Sequence, residues 1–218
     1  MKIRNIKPPS FALLLIIVHA TLYFIVSMLS DDIMKSSYGS LPAIAYFTVQ
    51  TNIFVLVWYI YLMLKKRFKK LPDVDSGLAL ALTIYITITG IVYWFVLVPI
   101  YGFTPNMFSL RNIWLHIVTP IFSIWVFFTM TRKEPIDQNQ IALTLIYPLL
   151  YLAMAFYFNT YFGSFPYPFL DSEVMGGVLP VILAIILMLL LFLFVGALYA
   201  KLYNKMFTKD SSVLSSLA

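Results

Sequence analysis

The sequence predicts an all-α polytopic membrane protein: one domain, residues 1–218, built as a bundle of six transmembrane helices with both termini on the cytoplasmic side. Three observations carry that expectation. The 218 residues are 61% hydrophobic and only 11% charged, with a mean hydropathy of +0.90, which is more apolar surface than one soluble core can enclose. Charged and Pro/Gly-rich breaks divide the chain into six apolar runs of about 20 residues, the length that crosses a bilayer. The basic residues then gather on one side of those runs.

The first run, 11–29, follows the basic start "MKIRNIKPPS"; its length, and the lack of a small-residue cleavage site after Met28 and Leu29, favour a retained helix over a secretory signal. The second, 43–64, contains "AYFTVQTNIFVLVWY" and ends at "KKRFKK". The third, 77–98, carries Thr83, Thr87, Thr89 and Tyr93, and the fourth, 112–130, lies within and beyond "LRNIWLHIVTPIF". The fifth, 141–158, holds Tyr147 and Tyr151. The sixth, 177–199, reads "LPVILAIILMLLLFLFVGALY", with none of the alternation that a barrel strand needs. Residues 208–218 read as a flexible tail. Pro99, Pro120, Pro148 and Pro180 fall within or beside spans, where kinks open cavities but also occur for no chemical reason.

Of the fifteen Lys and Arg residues, all but Lys35 and Arg111 fall on the side shared by the two termini. The net charge of +6 is therefore topological, with some attraction to anionic lipid, and does not suggest nucleic acid as a partner. No Asp or Glu lies inside a span, which argues against proton pumps and cation-coupled transporters. The absence of cysteine removes thiolate chemistry, and two histidines cannot complete a zinc site, so neither metal nor cofactor is expected.

What remains is a set of polar side chains placed where lipid offers no partner. Thr48, Thr51 and Asn52 form one stripe at helical spacing; Asn112, His116, Thr119 and Ser123 form another. Both spans run from outside to inside, so Thr48 and His116 sit at similar depth. An unpaired amide or imidazole in hydrocarbon costs several kcal/mol, roughly, so both stripes should face the bundle interior. His19 on the first span could reach the same interior at the depth of Asn52, or serve packing alone. Threonines and asparagines also hold membrane helices together with no further role. Tyr93 and Tyr151 either line a shared cavity or pack. Arg111 either holds a substrate carboxylate at the rim or snorkels to the interface. The segment "FGSFPYPFLDSE", with Tyr167 between two prolines, reads as an interfacial belt or as a lid over the cavity.

"YFTVQTN", "NIWLH" with Pro120 beyond it, and "YPFLD", in that order, resemble the androgen-induced and androgen-dependent TFPI-regulating membrane proteins and their bacterial six-helix relatives. That resemblance implies a multi-pass hydrolase of lipid esters, possibly fatty acid esters of hydroxy fatty acids, with Thr48 as nucleophile and His116 as its partner. Thr51, one turn on, is the competing nucleophile. A buried neutral imidazole can take the hydroxyl proton, and Asn52 or Asn112 can donate to the oxyanion. No carboxylate in the spans can orient His116, unless Asp171 folds inward. The alternative function is non-enzymatic lipid binding, transport or scaffolding. A compact, cysteine-free chain of this kind is expected in a prokaryotic plasma membrane.

Overall fold

A computed structural model describes residues 7–34, 41–68, 71–131 and 134–215. Among these there is no β-strand, and six helices are long and apolar enough to cross a membrane. They are α1 (Phe11–Met34), α2 (Phe47–Arg67), α3 (Ser76–Tyr101), α4 (Leu110–Met130), α5 (Gln138–Phe162) and α6 (Val178–Ser215). Lys2, Arg4, Lys35, Lys69, Lys70, Arg132 and Lys133, which contribute to the expected orientation, lie outside the described residues.

Most boundaries move by a few residues from the sequence reading, and two of the shifts are the largest in consequence. The second helix starts at Phe47, because Pro42 is extended, Ala43–Ala45 make one tight turn and Tyr46 is extended again. Thr48 therefore stands in the first turn of α2, where backbone N–H groups have no partner within the helix. The sixth helix continues to Ser215, so the backbone of 208–215 is helical where a flexible tail was expected; residues 216–218 lie outside the described residues.

The remaining ends follow from local chemistry. Asp75 caps α3 by accepting the Gly77 and Leu78 N–H groups at 2.9 and 3.0 Å. Asp137 and Gln140 close a reciprocal capping box at the start of α5. Gly163 ends α5 in the left-handed region, at φ 70°, where a side chain would strain the backbone. Near its start α5 is interrupted by a turn at Thr144 and Leu145, four and three residues before Pro148, which lacks the N–H that the Thr144 carbonyl would accept.

The central helix is α3, which packs against α2, α4, α5 and α6. Two-thirds of its most apolar window, 67%, is enclosed, against 17% for α6, whose Leu, Ile and Phe side chains are largely exposed as a lipid-facing helix requires. The loops at 41–46, 102–109 and 163–177 gather at one end of the bundle, here called the head, where Tyr46 meets Tyr167 and the Tyr93 hydroxyl donates to the Met107 carbonyl at 2.8 Å. At the opposite end, Trp125 donates to the Lys7 carbonyl at 3.0 Å, and Asn204 exchanges two hydrogen bonds with the Ile136 backbone.

The head-end half of α3 and α4 departs from α-helical winding in the same way twice. Residues Tyr93–Leu97 and Trp114–Val118 are π-turns, and each is followed, after one residue, by Pro99 or Pro120. In both, the N–H of the intervening residue (Val98, Thr119) reaches back five positions to Tyr93 or Trp114. The proline has no N–H for the carbonyl four residues back, and its ring crowds that turn, which favours the wider winding. The two turns touch: Gly90 lies against the His116 carbonyl, and the Tyr93 ring stacks on the His116 imidazole, centroids 3.7 Å apart and planes 14° from parallel.

Candidate active site

The start of α2 is held by two phenols. The Phe47 N–H donates to the Tyr151 hydroxyl at 3.2 Å, and that hydroxyl donates in turn to the Ala45 carbonyl at 2.9 Å. The Thr48 N–H donates to the Tyr167 hydroxyl at 3.3 Å. These phenols replace the Ser, Thr or Asp that ordinarily caps a helix start, and they come from α5 and from the Pro-bracketed loop. Burial pushes the Tyr167 phenol up to about 12, with the Thr48 contacts partly offsetting it, so it keeps its proton at neutral pH.

Beside this turn opens a cavity of about 80 Å³, several times what one water needs. Its walls are apolar side chains of α3, α5 and α6, among them Ile88, Val92, Leu152, Ile185 and Phe192, and the loop covers it with Tyr167, Phe169 and Leu170. The hydroxyl-bearing side chains in the wall are those of Thr48, Thr89, Tyr151 and Tyr167. No charged side chain lines it. Residues of that loop, and Tyr151, thus form part of the cavity wall.

Asn52 connects this turn to α4. It is fully buried; its Nδ2 donates to the Thr48 carbonyl at 2.8 Å and to the Leu115 carbonyl at 3.4 Å, while its Oδ1 accepts from the Thr119 hydroxyl at 2.9 Å. The Thr119 hydroxyl also approaches the Trp114 and Leu115 carbonyls of the π-turn. One amide thus reaches both the Thr48 turn and the residue before His116, and the two turns lie side by side at one level, as the sequence depth suggested. With both N–H groups on backbone carbonyls, Asn52 has no donor left for an oxyanion; it is a support residue. Asn52→Leu, similar in volume, removes these bonds and should lower stability by about 1–2 kcal/mol, read as a lower melting temperature in detergent.

His116 is 5% exposed, and its Nδ1 is 2.9 Å from the Asn112 carbonyl. A carbonyl only accepts, so Nδ1 carries the proton and Nε2 presents a lone pair. Among the described residues no hydrogen bond joins His116 to Thr48, and His116 is not in the cavity wall. Asn112 supports His116 through its backbone; its side-chain amide donates to the Asn106 carbonyl at 3.0 Å. Thr51 is fully buried and bonded to the Thr48 carbonyl and to the Thr89 hydroxyl at 2.9 Å, which marks it as a tie between α2 and α3.

Four further residues lie outside the cavity wall. His19 is exposed on the outer face of α1, its Nδ1 satisfied by the Leu15 carbonyl at 2.8 Å, so it takes no part in the interior. Tyr93 is not in the cavity wall; it is the platform on which His116 stacks. Arg111 is half-buried and does not line the cavity. Asp171 remains in its loop, accepting the Glu173 N–H at 2.9 Å, and does not orient the imidazole.

Fold and cavity together define a helical protein suited to a membrane, with an apolar pocket whose polar groups are hydroxyls at the start of one helix. No protein-family model matches the chain, and neither a curated protein nor a solved structure does.

Proposed function

We propose that the protein is an intramembrane hydrolase of lipid esters, of the kind its sequence motifs resemble, with Thr48 as nucleophile and His116 as base. The observation that carries this reading is the place of Thr48: the hydroxyl of a helix's first turn, in the wall of an apolar cavity, one amide away from the turn that holds His116. The apolar walls suit the part of an acyl chain next to the ester, with the carbonyl at the wall that carries the hydroxyls; about 80 Å³ leaves the rest of a long chain outside the cavity. Thr48 Oγ1 attacks the carbonyl carbon and its proton passes to His116 Nε2; the ester C–O bond breaks and the leaving alcohol takes that proton. Water, giving a proton to the same nitrogen, then releases the acid from the threonine. Because the two side chains are not hydrogen-bonded in the free protein, the contact forms with substrate in place. The charge distribution orients the bundle with its termini in the cytoplasm and the head outward, and economy of sequence favours a prokaryotic plasma membrane.

A second reading, lipid binding without hydrolysis, is favoured by one observation: His116 does not line the cavity that Thr48 lines. Purified protein in nanodiscs, given a long-chain p-nitrophenyl ester and a fluorophosphonate label, separates the two. Wild type should turn over and label, and Thr48→Ala should do neither. Binding of a fatty amide with no turnover by wild type leaves the second reading standing alone. Loss confined to Thr51→Ala would move the nucleophile.

A further inference from the structure

The groups expected to stabilise an oxyanion are engaged elsewhere, and following the protons around the cavity shows which one is available. Asn52 gives both amide hydrogens to backbone carbonyls, and the Asn112 amide points to Asn106. The Tyr151 proton goes to the Ala45 carbonyl, and the Thr89 hydroxyl to the Tyr85 carbonyl at 3.0 Å. Thr48 needs its own proton for the base. Tyr167 differs: its oxygen accepts the Thr48 N–H, and among the described residues its hydroxyl donates no hydrogen bond.

We infer that Tyr167 is a catalytic residue of this site: its O–H, oriented by the Thr48 N–H that the phenol oxygen accepts, donates to the oxygen that becomes negative when Thr48 attacks an ester carbonyl. The inference rests on the hydrolase reading. Geometry supports it in three respects. The phenol oxygen lies 3.3 Å from the nitrogen of the nucleophile residue, so it reaches an oxygen on a carbon bonded to Thr48 Oγ1. The ring is fixed by stacking on Phe169, centroids 5.2 Å apart and planes 6° from parallel, and it is 7% exposed, so the donor is preorganised and shielded from water. The segment that carries it is braced by Pro166 and Pro168 and covers the cavity, so substrate binding and oxyanion stabilisation depend on the same loop. No atom changes its bonding to Tyr167 in the step; the phenol keeps its proton and shares it with the oxyanion, then releases it when the tetrahedral carbon collapses.

Tyr167→Phe keeps the ring, the stacking and the burial, and removes the hydroxyl, which also caps the Thr48 N–H, so its melting temperature, expected to fall little, is read beside its activity. In the full-length protein in nanodiscs, kcat on a long-chain ester should fall about 10²- to 10³-fold, as for loss of one oxyanion donor, with KM changed little. A long-chain alkyl trifluoromethyl ketone, which adds to a hydroxyl and mimics the tetrahedral oxyanion, should bind the variant at least tenfold more weakly than wild type, while the matching fatty amide binds both equally. A purely structural tyrosine would weaken ketone and amide together, and that result overturns the inference. If Thr48→Ala is inactive and Tyr167→Phe turns over at the wild-type rate, the inference fails and the hydrolase reading stands. If Thr48→Ala is as active as wild type, or wild type binds the ketone no tighter than the amide, the hydrolase reading fails and this inference with it.

Discussion

His116→Phe should lower ester turnover by about 10²- to 10⁴-fold, the usual contribution of a general base, while leaving the protein folded. The reason to expect a folded variant is the surroundings of the imidazole. Its ring is buried and stacked on Tyr93 at 3.7 Å, a contact that phenylalanine reproduces. What is lost is the Nδ1–H bond to the Asn112 carbonyl, at about 1 kcal/mol, together with the lone pair on Nε2. The melting temperature and the size-exclusion profile should therefore change little, and affinity for a non-hydrolysable fatty amide should be retained. Turnover equal to wild type would show that the imidazole serves packing, and that the hydroxyl at position 48 acts with another base or with none.

Among the described helical glycines, Gly90→Ala should be the most damaging, because its methyl would meet the closest contact. A Cβ at position 90 would stand 2.7 Å from the His116 carbonyl oxygen and 3.2 Å from Pro120 Cγ. Neither neighbour is the end of a flexible side chain, so α3 and α4 must separate. Forcing atoms into such a contact costs about 1–3 kcal/mol, and within a bilayer no hydrophobic gain from water offsets lost packing between helices. The carbonyl concerned belongs to His116, the proposed base, so on that proposal the same methyl should displace the imidazole and lower kcat as well as stability. Gly196→Ala is the matching control. Its Cβ would meet Ile84 Cδ1 at 3.1 Å and Ile141 Cγ2 at 3.2 Å, atoms of isoleucine side chains that can shift, so a milder loss of stability is expected. Equal melting temperatures for the two variants would show that the contact between α3 and α4 yields readily.

Much of the site was visible in the polar stripes. Asn52 and Thr119, read as inward-facing from helical spacing alone, do meet, because two such groups in hydrocarbon find partners most readily in each other. His19 carried the same kind of signal but lies outside the interior, since an imidazole bonded to its own helix four residues back no longer needs an interior partner. Tyr167 was set apart by its prolines, yet its role at the start of α2 was not, because a cap drawn from 119 residues away leaves no local pattern in the sequence. The paired π-turns did have a sequence trace: an aromatic residue six positions before a proline, in "YWFVLVP" and again in "WLHIVTP". A proline alone does not distinguish a kink from a widened turn, so the winding emerged only from the structure.

By itself, the sequence determined that six helices are long and apolar enough to cross a membrane and which of their polar side chains need partners, because hydropathy, length and the cost of unpaired polar groups act on each segment separately. Tertiary structure alone decided which of those residues share a wall. Thr48 faces the cavity, Asn52 and Thr51 are consumed as ties between helices, and His116 stacks on Tyr93 one turn aside, because each side chain's direction is set by how α2, α3 and α4 pack on one another at Gly90 and the two π-turns.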